Sequence, residues 1–516
     1  MKKNILSLAV ATSAAGMATV ASAQMYLNDE HTGEALIFPF YSVQSGNDTY
    51  VSIVNTTDQY KAVKVRMIES QESLETLDFN LYMSPQDHFS FAITADGEGA
   101  KMVTADNSCT VPAIPEGGQG FSTLLWAAAA TETAAEANRE QMGYVEVIEM
   151  GQIVGTSDTA ADILHAMTGA TAGTPGDCAQ LVTNWSVTAG TEGAWYAEAS
   201  AELVGTTAGG ASVGTTDFAA TWNGGGLYGT GTVINVAEGT AFGYDAKAIE
   251  DLVEAGATGS VLHYPPGDTR PDFNDDAMAD TALVNVDGVQ TTYTRDLGVN
   301  HGPVSAVFMT SSLANEYVVD ADINALTDWV IMFPTKSNHI DAAGDLTAPF
   351  SNTTTAAGTD LAELCQPVGL VGYDREEMTQ DPPTPGSDGP AFSPATRPET
   401  TATPDLLICN EVTVAHFGSA SATNTTADIA NGLANVSAFV DGWAAGWAVM
   451  DLRADNLNST VDNARVLDGA ITGTTGELAG LPVTGFAVVE YSNGVTDSSV
   501  RNYSVAWEHK TDVATS

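Results

Sequence analysis

Three groups of closely spaced oxygen-bearing side chains are the residues of this chain best suited to chemistry. Asp272, Asn274, Asp275, Asp276 and Asp280 lie within nine residues of one another. Asp320, Asp322, Asn324 and Asp328 form a second group, and Asp451, Asp455, Asn456, Asn458 and Asp462 a third. Carboxylates and amides this close together on turns can supply the six to eight oxygens that Ca²⁺ takes. Calcium is therefore the expected ligand, at one or more of the three groups. None has the EF-hand pattern, because after Asp272 the positions of its Gly and Glu hold Ala277 and Leu283. Solvated acidic loops are the competing account in a chain this acidic.

Catalytic patterns fail on their context. Gly210-Ala211-Ser212-Val213-Gly214 fits G-x-S-x-G, yet it sits in a Gly/Thr tract without the strand and helix that a nucleophile elbow needs. Gly224-Gly225-Gly226-Leu227-Tyr228-Gly229 fits G-x-G-x-x-G, but a strand-like run follows where a dinucleotide site needs a helix. The eight histidines are scattered singly, with no H-E-x-x-H. The chain reads as a protein without catalytic residues.

Four cysteines, Cys109, Cys178, Cys365 and Cys409, give an even count and no C-x-x-C. In an exported chain that favours two disulfides over thiol chemistry. Three connectivities exist, and pairing of neighbours, Cys109 with Cys178 and Cys365 with Cys409, is the one expected.

The elements that must position these residues are mostly strands. Residues 36–93 form four or five of them in quick succession, separated by turns such as Ser45-Gly46-Asn47-Asp48 and Asn55-Thr56-Thr57-Asp58. In 62–68 the residues alternate, so Val63, Val65 and Met67 are expected to face a core while Lys64 and Arg66 face water. In 144–150 Val145 and Val147 are set against Glu146 and Glu149 in the same way. Helix is expected at 124–142, which is Ala-rich and free of Gly and Pro, at 161–167, and at 244–255. Further strands are expected at 282–286, 304–309, 329–333, 412–417, 443–451, 486–491 and 503–508. Residues 329–334 echo 63–68, and 446–450 echo 143–149. The fold class is thus all-β, as two antiparallel β-sandwich-like domains, 24–255 and 256–516, with short helices in inserts. The tract 186–232 reads as a Thr/Gly/Ala-rich insert, and 382–404 as a Pro-rich surface loop.

The run ALIFPFYSVQSGNDTYVSIVNTTDQYKAVKVRMIE, with LDFNLYMSPQD after it, resembles secreted surface-layer (S-layer) proteins of marine gammaproteobacteria. GYVEVIEMG, GTVINVAEGTAFGYDA, NEYVVDADINALTDWVIMFPTK and LPVTGFAVVE extend the resemblance along most of the chain. It implies a structural subunit whose main partner is itself, in a homo-oligomeric lattice on outer-membrane lipopolysaccharide or another surface glycan. A secreted β-sandwich adhesin or glycan-binding protein is the alternative.

Charge and targeting signals agree with export. Lys2 and Lys3, a small-residue apolar stretch and Ala21-Ser22-Ala23 make residues 1–23 a signal peptide by pattern. No later run is apolar and long enough for a membrane-spanning helix. Seventeen basic against 65 acidic residues give a formal net charge of −48. Such a field repels nucleic acid and attracts cations. Self-association then requires screening, and at sea-water ionic strength the Debye length falls to roughly 3–4 Å.

Overall fold

The computed structural model describes residues 24–127, 139–169, 171–187, 193–196, 217–253, 262–342, 344–351, 353–354, 364–376, 406–418, 435–439, 443–453, 465–473, 476–496 and 499–515. About half the chain is strand and a tenth helix, in several antiparallel sheets, so the fold is all-β. One pair is parallel, Val412–Gly418 beside Asn435–Phe439.

Four of the sheets build the body. A seven-stranded sheet runs in the order Tyr26–Leu27, Lys247–Glu250, Ala35–Ser42, Met142–Ile153, Tyr60–Glu69, Glu75–Met83, Cys109–Val111. A six-stranded sheet lies against it, in the order Thr240–Asp245, Leu227–Asn235, Asn47–Asn55, His88–Asp96, Gly99–Val103, Gln119–Gly120. Leu36, Phe38, Val63, Val65 and Phe79 of the first sheet meet Val51, Ile53, Phe89 and Phe91 of the second in one apolar core. The C-terminal half repeats the plan. A five-stranded sheet has the order Asn435–Phe439, Val412–Gly418, Ala325–Met332, Thr484–Thr496, Ser499–Glu508. Leu364–Asp374, Ala445–Asp451, Ser312–Val318 and Lys510–Asp512 lead the facing sheet. Trp329, Ile331, Ala415 and Phe417 pack there against Leu313, Tyr317, Val368 and Met450.

The central strands of the seven- and five-stranded sheets, among them Tyr60–Glu69, Met142–Ile153 and Ala325–Met332, are buried on both faces. Side chains alternate across a strand, and here both sets find a core. Val330 and Met332 leave the C-terminal sandwich core and join Val412, Val414, Phe486 and Val488 against Ile37, Phe40, Ile68 and Tyr144 of the N-terminal half. Phe486 anchors this seam, edge-on to Phe40 at 6.2 Å and stacked on Tyr244 at 4.9 Å between centroids. Backbone bonds cross it as well, from Val412 N to Ser70 O (2.9 Å) and from Leu283 N to Met25 O (2.7 Å). The body therefore has four sheet layers and three apolar cores.

Several expected elements differ. Over 244–253 the chain forms strands, Thr240–Asp245 and Lys247–Glu250, because Lys247–Glu250 pairs with Ala35–Ile37 on one side and Tyr26–Leu27 on the other; 254–255 lie outside the described residues. The run 304–309 is helical over Gly302–Phe308, opened by Pro303 in its first turn. An apolar run buried all round has no period that separates helix from strand. Of the helix expected over 124–142, Leu124–Ala127 is helical, Arg139–Gln141 is a 3₁₀ turn, Met142 opens a strand, and 128–138 lie outside the described residues. The short helix expected at 161–167 runs from Asp158 to Ile163, capped by the Ser157 hydroxyl on Ala160 N. Beside 329–333 it is Gly485–Glu490, rather than 446–450, that takes the place Gly143–Glu149 takes beside 63–68. Gly143 and Gly485 share the reason: a Cβ on either would meet the neighbouring strand's carbonyl, Ile68 O at 1.9 Å or Val330 O at 2.0 Å. The 382–404 loop lies outside the described residues.

Candidate functional site

Charged side chains on the central strands of the seven-stranded sheet do not face water. Lys64 is fully buried and Arg66 nearly so, which corrects the reading from alternation. The segment 264–268 crosses that face, where Lys64 Nζ bonds Asp78 Oδ2 (2.6 Å) and the Asp268 carbonyl (2.9 Å). Arg66 divides its guanidinium between Glu75 (Nε to Oε2, 2.7 Å) and Glu146 (Nη1 to Oε2, 2.5 Å). Burial alone would lower the Arg66 pKa, but Glu146 and Glu75 more than offset it and raise it. Burial pushes Glu146 up to about 7, against the pull of Arg66. A second guanidinium, Arg139, joins Glu69 (3.1 Å) and Glu72 (2.7 Å).

Three carboxylates, Glu34, Glu149 and Glu250, cluster near Lys61, which pairs with Glu149. Lys61 Nζ contacts both Glu149 oxygens at 2.9 Å with neither side chain exposed. Glu34 accepts from Trp222 Nε1 and from the backbone of Leu252 and Val253, and burial, with Glu149 nearby, raises it to about 8. Glu250 is raised to about 7 by burial and then by Asp251. The G-x-G-x-x-G residues serve this cluster. Gly225 N donates to Glu149 Oε2 (3.0 Å), and a Cβ on Gly224 or Gly225 would strike Glu34 or Glu250. A strand, Leu227–Asn235, follows them, as the sequence indicated.

The structure distributes the expected calcium ligands unevenly. In the first group Asp272 accepts from Asn274 N and Asp275 from Ala277 N, so both close local turns. Asp275 is buried, and burial lifts it to about 6. Asp280 is paired with Arg295 (2.5 Å), Asn274 Oδ1 is 3.1 Å from His301 Nδ1, and Asp276 is exposed. In the second group Asp320, Asp322 and Asn324 share the turn before Ala325–Met332, with Asp320 Oδ1 accepting from Asp322 N and Asn324 at φ 46°. Asp328 sits apart from them, fully buried within the strand and 2.7 Å from His416 Nδ1. In the third group Asp451 pairs with Arg453 (2.6 Å), while Asp455, Asn456, Asn458 and Asp462 lie outside the described residues. Among the described residues no three His, Cys, Asp or Glu side chains converge as a metal site would require. The cysteines bond as neighbours, Cys109–Cys178 and Cys365–Cys409.

A cleft opens on the seam between the halves, with a volume of about 360 Å³. It is lined by Asn28, Asp29, His31, Thr484 and Thr511, with Met309 and Val483 between them. A shallower depression of about 220 Å³ shares His31, Lys247, Gly485 and Glu508 with it and adds Tyr244 and Trp507. Lys247 Nζ reaches Glu508 Oε1 (2.7 Å) across the seam, and with His31 and Lys510 this outweighs burial and lowers the Glu508 carboxyl. His509, half-buried in the lining, is pushed down to about 4 by desolvation, so it is neutral at physiological pH. Sequence reasoning passed over both the buried ion pairs and this cleft. Ala62 and Ile68, apolar on the supposedly wet face of their strand, were the available signal for the former.

Compared with known protein families, curated proteins and solved structures, the chain matches none. Among the described residues no helix is long and apolar enough to cross a membrane.

Proposed function

We propose that this chain is a structural subunit of a self-assembling protein lattice on the surface of a Gram-negative marine bacterium, exported and peripheral to the outer membrane. The observation that supports it best is where the scarce cations lie. Among the described residues six bases, Lys61, Lys64, Arg66, Arg139, Lys336 and Arg465, are buried, against nine of the far more numerous acids. The outside is thereby left more uniformly acidic than the composition, on a disulfide-tied all-β body. Subunits of this kind cannot pack side by side until their carboxylates are bridged. Monovalent salt screens the field without joining two carboxylates, whereas Ca²⁺ takes oxygens from both partners. The exposed ligands Asp276, Asp280 and Asp322, with half-buried Asp320 beside the last, are where bridging is assigned. Contacts that are weak singly add through multivalency, because each subunit has several neighbours. The reading assigns no catalytic step. Chelator is expected to release the protein from cells in soluble form, and Ca²⁺ at constant ionic strength to restore ordered sheets in electron micrographs. A lattice unchanged by excess chelator would refute calcium bridging, and cells bearing no lattice would refute the function.

A further inference from the structure

We infer that the cleft between the two halves is a binding site for an uncharged, polyhydroxylated ligand, a saccharide of one or two rings. Small-molecule sites favour seams between packed units and occupy on the order of 300–1,000 Å³, a range into which the 360 Å³ cleft falls. The chemistry of the lining selects the ligand. Asp29, Thr484 and Thr511 make no side-chain hydrogen bond to other described residues, so a carboxylate that accepts and hydroxyls that both donate and accept line the cleft uncommitted. Hydroxyl-rich ligands satisfy such a mixture, since each hydroxyl both donates and accepts. Apolar strips between the polar groups suit the C–H faces of a sugar ring, and Trp507, 41% exposed beside the adjoining depression, offers a ring to stack on.

Electrostatics argue against other ligand classes. Lys247 is already paired with Glu508, and His509 is neutral, so no cationic pocket awaits a phosphate or nucleotide. The −48 field repels anions over the whole approach. A cation would find Asp29 and Glu508 faced by Lys247 and His31 in the same space. His31 holds a left-handed backbone, φ 59°, at the lip of the cleft, a conformation that non-glycine residues adopt at a cost and that tends to mark ligand sites. If the chain coats a cell as proposed above, such a site is where a subunit holds surface glycan, and this part of the inference rests on that reading.

Binding is measured on the full mature chain in chelator, where lattice formation does not intervene. The probes are a printed array of defined neutral, amino and acidic oligosaccharides, followed by calorimetry with the best binder. A neutral oligosaccharide is expected to bind, and D29N and T511V, both at exposed positions, each to weaken it at least tenfold with the melting temperature unchanged. W507A tests the stacking wall and is expected to act in the same direction. Failure of every array member to bind, a preference for acidic glycans, or binding untouched by all three variants would overturn the inference. The two readings separate cleanly. Calcium-dependent sheets from a chain that binds no saccharide defeat this inference alone, and saccharide binding by a chain that forms no sheets defeats the lattice alone.

Discussion

Replacing Arg66 with methionine removes the cation from a buried layer of charges. Its guanidinium bridges Glu146 at 2.5 Å and Glu75 at 2.7 Å, and the three side chains are between 4% and 10% exposed. Deleting one partner of a buried pair leaves an uncompensated charge and costs about 3–5 kcal/mol, against about 0–1 for a surface pair. The loss should depend on pH. With Arg66 present, burial already holds Glu146 at about 7, and without it that carboxyl rises further. A carboxyl raised in the folded state favours folding below its unfolded pKa, and this contribution is lost as pH rises through the folded value. R66M is therefore expected to be short by about 3–5 kcal/mol at pH 8 and by less than half of that at pH 5. Urea unfolding followed by tryptophan fluorescence reads both deficits from the midpoint and slope. R66M/E146L should recover most of the loss, because apolar replacement of a buried pair is often neutral or stabilising. A deficit below about 1 kcal/mol at pH 8, or an equal one at both pH values, would refute the buried-layer account.

Two further predictions concern the covalent and titratable features of the body. C109A/C178A opens a loop of sequence separation 69 and should destabilise the chain by about 4 kcal/mol on the loop-entropy model, while titration of unfolded, unreduced wild type should find no free thiol. Glu411 is fully buried where the halves meet, and burial, partly offset by Lys336, raises it to about 8. Wild type should therefore lose stability as pH rises from about 4.5 to about 8, at roughly 1.4 kcal/mol per unit from this group. E411Q should lower that slope by roughly 1.4 kcal/mol per unit in urea unfolding, and an unchanged slope would show that Glu411 does not ionise as described.

What the sequence determined by itself is what short-range chemistry fixes. Alternation and turn residues define the strands of 36–93, since a strand's period and the left-handed freedom of Gly and Asn act over a few residues. Neighbour pairing of the cysteines follows the shorter loops, and the Gly tract before Leu227 declares its unsuitability for a nucleotide by what comes after it. Only the tertiary structure decided which faces are wet. Lys64 and Arg66 alternate with valines as solvent-facing residues would, yet the segment 264–268, some two hundred residues away, covers Lys64, and Glu146 and Glu75 pair with Arg66. The same distance effect separates Asp328 from Asp320, because four residues along a strand carry the side chain out of the turn and into the sheet beside His416. It also makes the cleft, whose walls are contributed by residues 27–31, 247–248, 307–313, 483–485 and 508–513. No local pattern encodes such a site, since it exists only where two sandwiches that each bury their own core also bury a third between them.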